Sequence, residues 1–133
     1  MGYNFNWSAV SGGAPYVTLS SLGIAFNSVS IAKLDNPEKI LIGFDEAECV
    51  LGVKPYEYES GVKPYEFSER VKNGWIRIGC RDFIKYLQSI TGIDFSVSKR
   101  YVAKHDTNEN ILIVFVRDVS EVENAETDEN PLG

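Results

Sequence analysis

The chain has 133 residues, 44% of them hydrophobic, and a formal net charge of −6. That length and apolar content suit a single domain with its own core. No window approaches the ~18 consecutive apolar residues of a membrane span. The opening MGYNFNWSAVSGG also lacks the basic flank and apolar run of a secretory signal, so a cytoplasmic location and no membrane partner are expected.

The charge is unevenly placed. Residues 1–69 are acidic, whereas residues 70–104 carry Arg70, Lys72, Arg77, Arg81, Lys85, Lys99, Arg100 and Lys104 against only Asp82 and Asp94. Residues 118–133 then add Asp118, Glu121, Glu123, Glu126, Asp128 and Glu129 with no base. A basic middle bracketed by acidic ends points to an anionic partner or to internal neutralisation.

In chain order, residues 1–14 are polar and glycine-rich, with Tyr3, Phe5 and Trp7 alternating; a frayed terminus is expected. Val17 and Leu19, then Ile24 and Phe26, read as one half-buried strand bent at Gly23. Asn27 or Ser28 can accept a backbone N–H at a helix start, Ile31 and Leu34 share a face of that helix, and Asp35-Asn36-Pro37 stops it. Ile40–Ile42 and Cys49–Val53 flank the polar turn Asp45–Glu48, a hairpin signal. These residues form a first unit, 16–54.

The connector 55–73 contains a duplication: Val53-Lys54-Pro55-Tyr56-Glu57 recurs as Val62-Lys63-Pro64-Tyr65-Glu66. A period of nine is too short for a solenoid, and Pro55 and Pro64 keep both copies out of a central strand. The expectation is an extended segment whose Tyr56, Tyr58, Tyr65 and Phe67 pack on the domain or present a protein-interaction surface.

A second unit, 74–117, repeats the order. Trp75–Gly79 is a strand, and Arg81–Ile90 is a helix with Phe83, Ile84, Leu87 and Ile90 as its apolar face. Thr91-Gly92 closes the helix. Tyr101–Ala103 and Ile111–Val116 flank a turn over residues 105–110, and the all-apolar second arm is expected to be buried on both faces. The acidic tail 118–133 is expected to be disordered beyond about Val122. The fold class is α+β and mostly β: two βαββ-like units (strand, short helix, β-hairpin) sharing one β-rich core.

No catalytic or metal residues are assigned. His105 and Asp106 fall in a turn with no nucleophile elbow nearby. Asp45, Glu46 and Glu48 lack the ligand spacing and glycine of a calcium loop. No phosphate-binding, dinucleotide, zinc-protease or C-x-x-C motif occurs, and Cys49 and Cys80 read as reduced, buried thiols. A non-enzyme without a small-molecule cofactor is expected.

The stretches VTLSSLGIAFNSVSIAKL and KILIGFDEAECVLGVKP resemble the AbrB/MraZ-type swapped-hairpin domain, best over residues 17–55 and loosely over the second unit. Gly23 matches that family's glycine, and Ile31 and Leu34 match helix core positions. Ile24 stands where the DNA-contacting arginine would be, and Asn27 or Ser28 replaces the helix-opening proline. The resemblance implies a bacterial transcription regulator that binds DNA, with two copies of the domain in one chain. Cationic contacts to phosphates carry such binding, and Arg77, Arg81, Lys85, Lys99, Arg100 and Lys104 are the candidates. The alternative is a protein-interaction module, homodimeric or binding another protein through sheet edges or the tyrosine-rich connector.

Overall fold

A computed structural model describes residues 13–57 and 61–117. Strands β1 (Tyr16–Ser20) and β2 (Gly23–Phe26) are antiparallel, with Leu19 opposite Ile24 and Ser20 opposite Gly23. The chain therefore reverses at Ser21-Leu22, where a single bent strand was expected. Parity gives the reason. Val17 and Leu19 are odd-numbered and Ile24 and Phe26 even-numbered, so a straight strand would send the pairs to opposite faces. A two-residue turn puts all four on one face, and all four are buried.

Helix α1 (Ser28–Lys33) is capped by Asn27, whose Oδ1 accepts from the Ser30 N–H. It ends where Asp35 and Asn36 turn left-handed, with φ of 66° and 44°. The hairpin of β3 (Lys39–Asp45) and β4 (Val50–Pro55) follows. Cys49 lies in its turn at φ 59°, half-buried, rather than inside an apolar strand.

The first repeat copy begins inside a central strand, contrary to expectation. Val53–Pro55 pair with β3, and Pro55 is tolerated because it is the last residue of β4. The connector beyond it carries more structure than an extended link. It contains β5 (Tyr65–Glu66), a short 3-10 turn (Ser68–Arg70) and β6 (Val71–Lys72). β6 turns through Asn73-Gly74 into β7 (Trp75–Gly79), Lys72 pairing with Trp75. Both turn residues have positive φ, 56° and 81°, as the favoured two-residue hairpin turn requires.

Helix α2 (Arg81–Thr91) ends on Gly92 at φ 77°. It is rotated from the expected face: Ile84, Leu87 and Thr91 are buried, while Ile90 is 38% exposed. Thr91 tolerates burial because its hydroxyl donates to the Leu87 carbonyl and accepts from the Ile93 N–H.

Strands β8 (Lys99–Val102) and β9 (Lys104–Asp106) are one run of chain that changes sheets at the buried Ala103. Tyr101 pairs with Val17 of β1, so it does not belong to the last hairpin as expected. That hairpin joins β9 to β10 (Ile111–Phe115), and His105 sits in β9 opposite Leu112 rather than in the turn. β10 has neighbours on both sides, β4 and β9. Only Leu112 and Val114 within it are buried, however, and Phe115 is 40% exposed, so it is not covered on both faces.

The result is an α+β fold of two antiparallel sheets. The first has the order β6-β7-β2-β1-β8 and the second β5-β3-β4-β10-β9. Their inner faces share one hydrophobic cluster, with Val17, Leu19, Ile24, Phe26, Ile76 and Ile78 from the first and Ile40, Leu51, Val53, Leu112 and Val114 from the second. Ile31, Leu34, Ile84 and Leu87 of the helical segments join it, as do Phe67, Phe95 and Tyr101.

Candidate nucleic-acid interface

Because side chains alternate along a strand, burying Val17, Leu19, Ile24, Phe26, Ile76 and Ile78 turns Thr18, Ser20, Ala25, Trp75 and Arg77 outward. Pairing then aligns them. Arg77 lies opposite Ala25, Ala25 opposite Thr18, and Thr18 opposite Arg100. One transverse row thus carries an arginine at each end, roughly 14 Å apart by the ordinary strand spacing.

The middle of the row is built from small residues, which leaves a hollow of about 340 Å³ lined by Thr18, Ser20, Ala25, Trp75, Arg77 and Gly79, among others. Gly23 brings the two central strands together beneath it. Its φ is 156°, and a Cβ there would stand 1.9 Å from the Ile78 carbonyl oxygen, so only glycine fits.

Each arginine lies against a ring. The Arg77 guanidinium is 5.6 Å from the centroid of Trp75, and that of Arg100 is 5.0 Å from Tyr16, within cation–π range. Tyr16 is held at its backbone. Its N–H donates to Asn27 Oδ1, its carbonyl accepts from the Asn27 N–H and the Ser30 hydroxyl, and Asn27 Nδ2 donates to the Ala14 carbonyl. One asparagine therefore both caps α1 and fixes the start of β1.

The charge on this sheet is of one sign. Its five strands contain Lys72, Arg77, Lys99 and Arg100 and no acidic residue. The strands of the second sheet hold Lys39, Lys54 and Lys104 against Asp45, Glu66 and Asp106, and Lys39 pairs with Glu66 at 3.8 Å.

Of the six expected nucleic-acid residues, Arg77 and Arg100 come together on this face. Lys99 alternates with Arg100 and lies opposite Leu19. Arg81 and Lys85 are exposed on α2. Lys104 belongs to the second sheet, its ammonium 5.4 Å from the Phe115 ring. Sequence reasoning passed over Lys72, Trp75 and Tyr16. The Asn73-Gly74 pair, a strong hairpin signal, would have placed Lys72 beside Trp75.

The aromatic connector separates in the same way. Phe67 is fully buried with its ring 5.2 Å from that of Phe26, so it is a core residue and not a docking residue. Tyr56 and Tyr65 are half-buried. Desolvation, with smaller contributions from Cys80 and Asp82, raises the Tyr65 hydroxyl above its ordinary pKa. Tyr58 lies outside the described residues.

His105 Nε2 contacts Asn110 Oδ1 at 2.7 Å. The Asp106 carboxylate accepts the N–H groups of Asn108 and Glu109, so it serves the turn rather than the imidazole. Glu46 accepts from the Tyr86 hydroxyl at 2.6 Å, which raises that hydroxyl's pKa. Cys49 and Cys80 are both free, and burial pushes the Cys80 thiol up to about 11. Cys80 is thus a protonated, poorly nucleophilic thiol at neutral pH. Among the described residues no three His, Cys, Asp or Glu side chains gather as a metal cluster, and no helix is long and apolar enough to cross a membrane.

No protein-family model matches this chain, and neither does any curated protein or solved structure in the comparisons made.

Proposed function

We propose that this chain is a non-enzymatic DNA-binding protein of the transcription-regulator kind, engaging nucleic acid through the outer face of its first sheet. The observation that carries the reading is the row Arg77–Ala25–Thr18–Arg100 on a sheet whose strands hold no acidic residue. Phosphate contacts supply most of the affinity in such binding, and strands without carboxylates avoid opposing them.

The topology supports an AbrB/MraZ-like ancestry. Each half of the chain runs hairpin, helix, hairpin: β1–β2, α1, β3–β4, then β6–β7, α2, β9–β10 with β8 leading in. The halves meet through β2 against β7 and β4 against β10. Ile24 pairs with Ile78 and Phe26 with Ile76 on either side of Ala25–Arg77, the pattern expected of an approximate two-fold axis through that pair. On this reading the two copies complete each other within one chain.

The test is fluorescence anisotropy on labelled DNA across a salt series. Arg77→Ala with Arg100→Ala is expected to weaken binding at least tenfold at ~50 mM salt and to lower the salt slope by about 2. Lys104→Ala and Lys85→Ala are expected to change little. A double variant indistinguishable from the parent at every salt concentration sinks the reading.

One observation favours the alternative of a protein-interaction module. The outer face of the second sheet has an apolar hollow of about 330 Å³ lined by Leu41, Gly43, Gly52, Lys54, Val62 and Ile111. The sheet edges are poor docking sites, since β5 and β6 are two residues long and β8 and β9 carry charges. Sedimentation velocity across concentrations, with Ile111→Asp as control, would reveal self-association through the hollow.

A further inference from the structure

We infer that the outer face of the first sheet takes single-stranded nucleic acid, with unpaired bases stacked at the Trp75/Arg77 and Tyr16/Arg100 stations. The inference rests on the nucleic-acid reading above and names the strand state it selects.

Three features argue for it. First, the face is wide and its centre is recessed. Five strands at ordinary spacing span about 19 Å between the outermost axes, against a major groove about 12 Å wide that admits one helix or a two-stranded ribbon. The centre of the row, Ala25 and Thr18, is recessed rather than raised. A duplex laid across it would meet the two arginines and leave the hollow empty.

Second, the cations come paired with rings. Trp75 and Tyr16 are each half-buried, with a guanidinium 5.6 Å and 5.0 Å from the ring centroid. Aromatic rings and guanidinium planes both accept a stacked base, but only one that is free of its neighbours, as in a single strand. In a duplex each base is already stacked, and the rings would contribute nothing.

Third, the hollow beside the Trp75/Arg77 station has a floor of small, neutral residues. Thr18, Ser20 and Gly79 offer hydroxyls and open backbone, suited to a base edge without selecting one sequence. The cations in register with the outer face, Lys72, Arg77 and Arg100, then serve the sugar–phosphate chain. This combination of a basic track and stacking faces gives sequence-tolerant single-strand binding.

The experiment is anisotropy competition with the full chain, using oligo-dT, oligo-rU and a duplex of equal length (about 12 nucleotides). A single strand, DNA or RNA, is expected to compete at least tenfold better than the duplex, and the dT and rU arms tell which. Trp75→Ala and Tyr16→Ala are each expected to weaken single-strand binding about five- to a hundredfold with the salt slope unchanged, because stacking releases no counterions. Trp75→Phe is expected to retain most of the affinity. Gly79→Val fills the hollow where an added Cβ meets no atom within 4 Å. It is expected to weaken binding without unfolding, which covers the case in which a ring variant fails to fold. A duplex that competes equally or better, or ring and Gly79 variants that bind normally, overturns the strand-state inference while the proposed function stands. No binding by any of the three removes both.

Discussion

On the first sheet the outward positions between β7 and β8 are filled by Thr18, Ser20, Ala25, Trp75, Arg77 and Arg100; on the second, Gly43, Gly52, Ile111, Ile113 and Lys54 occupy the comparable band. The inner faces are alike, both branched and apolar, and they merge into one core. The difference lies in the layer that folding does not need. One outer face combines cations with rings around a neutral hollow, and the other is apolar with its strand charges balanced. Surface chemistry unconstrained by the core is where function is free to be written.

The glycines break the comparison most sharply. Gly23→Ala places a methyl 1.9 Å from the Ile78 carbonyl oxygen at the β2–β7 seam, a backbone atom that cannot yield, and is expected to abolish cooperative folding. Gly43→Ala, on the second sheet, meets nothing within 4 Å and is expected to stay within about 0.5 kcal/mol of the parent. Urea denaturation of the pair checks both; a folded Gly23→Ala of parental stability would mean that β2 and β7 do not pair as described.

Phe67→Ala comes next. Phe67 joins the two sheets, its ring against Phe26 of β2 and its N–H donating to the Glu38 carbonyl just before β3. The expected loss is about 3–5 kcal/mol, while Tyr56→Ala, half-buried, is expected to cost under half as much. If chemical denaturation shows equal and small losses, the connector is a surface strap after all.

Asn27→Ala should separate stability from site geometry. Losing the α1 cap is expected to cost about 1 kcal/mol. Because the same amide holds Tyr16 at the edge of the face, nucleic-acid affinity should fall in parallel. Asn27→Asp keeps the acceptor and should restore most of the stability. Unchanged affinity in a destabilised Asn27→Ala would show that Tyr16 does not depend on the cap.

The smallest expected effect is electrostatic. Residues 118–133 contribute −6 of the chain's formal −6, so ending the chain at Arg117 should raise DNA affinity about threefold at ~50 mM salt. The gain should vanish near 1 M, where screening shortens the Debye length to about 3 Å. A gain that persists at high salt would point to something other than charge.

Much of this was legible residue by residue. The cap at Asn27 or Ser28 (Asn27 in the structure), the stop at Asp35–Pro37, the Gly92 cap and the β3–β4 hairpin are local events. Their causes lie within a few residues of chain, and the structure places them where the pattern does. The candidate site was legible only in part: Arg77 and Arg100 could be suspected from charge, but not that they share a row.

What escaped was non-local. Composition and apolar spacing determined that the chain would bury a β-rich core, where its helices stop and many of the residues that turn inward. They could not say that the run from Lys99 to Asp106 would leave one sheet for the other, or that α2 would roll to bury Thr91 in place of Ile90. Nor could they say that Phe67 would end a repeated motif inside the core. Those outcomes depend on which strands lie side by side, and pairing energy is set by partners tens of residues away. Only the tertiary structure could decide which outward residues become neighbours, and so where a binding face exists.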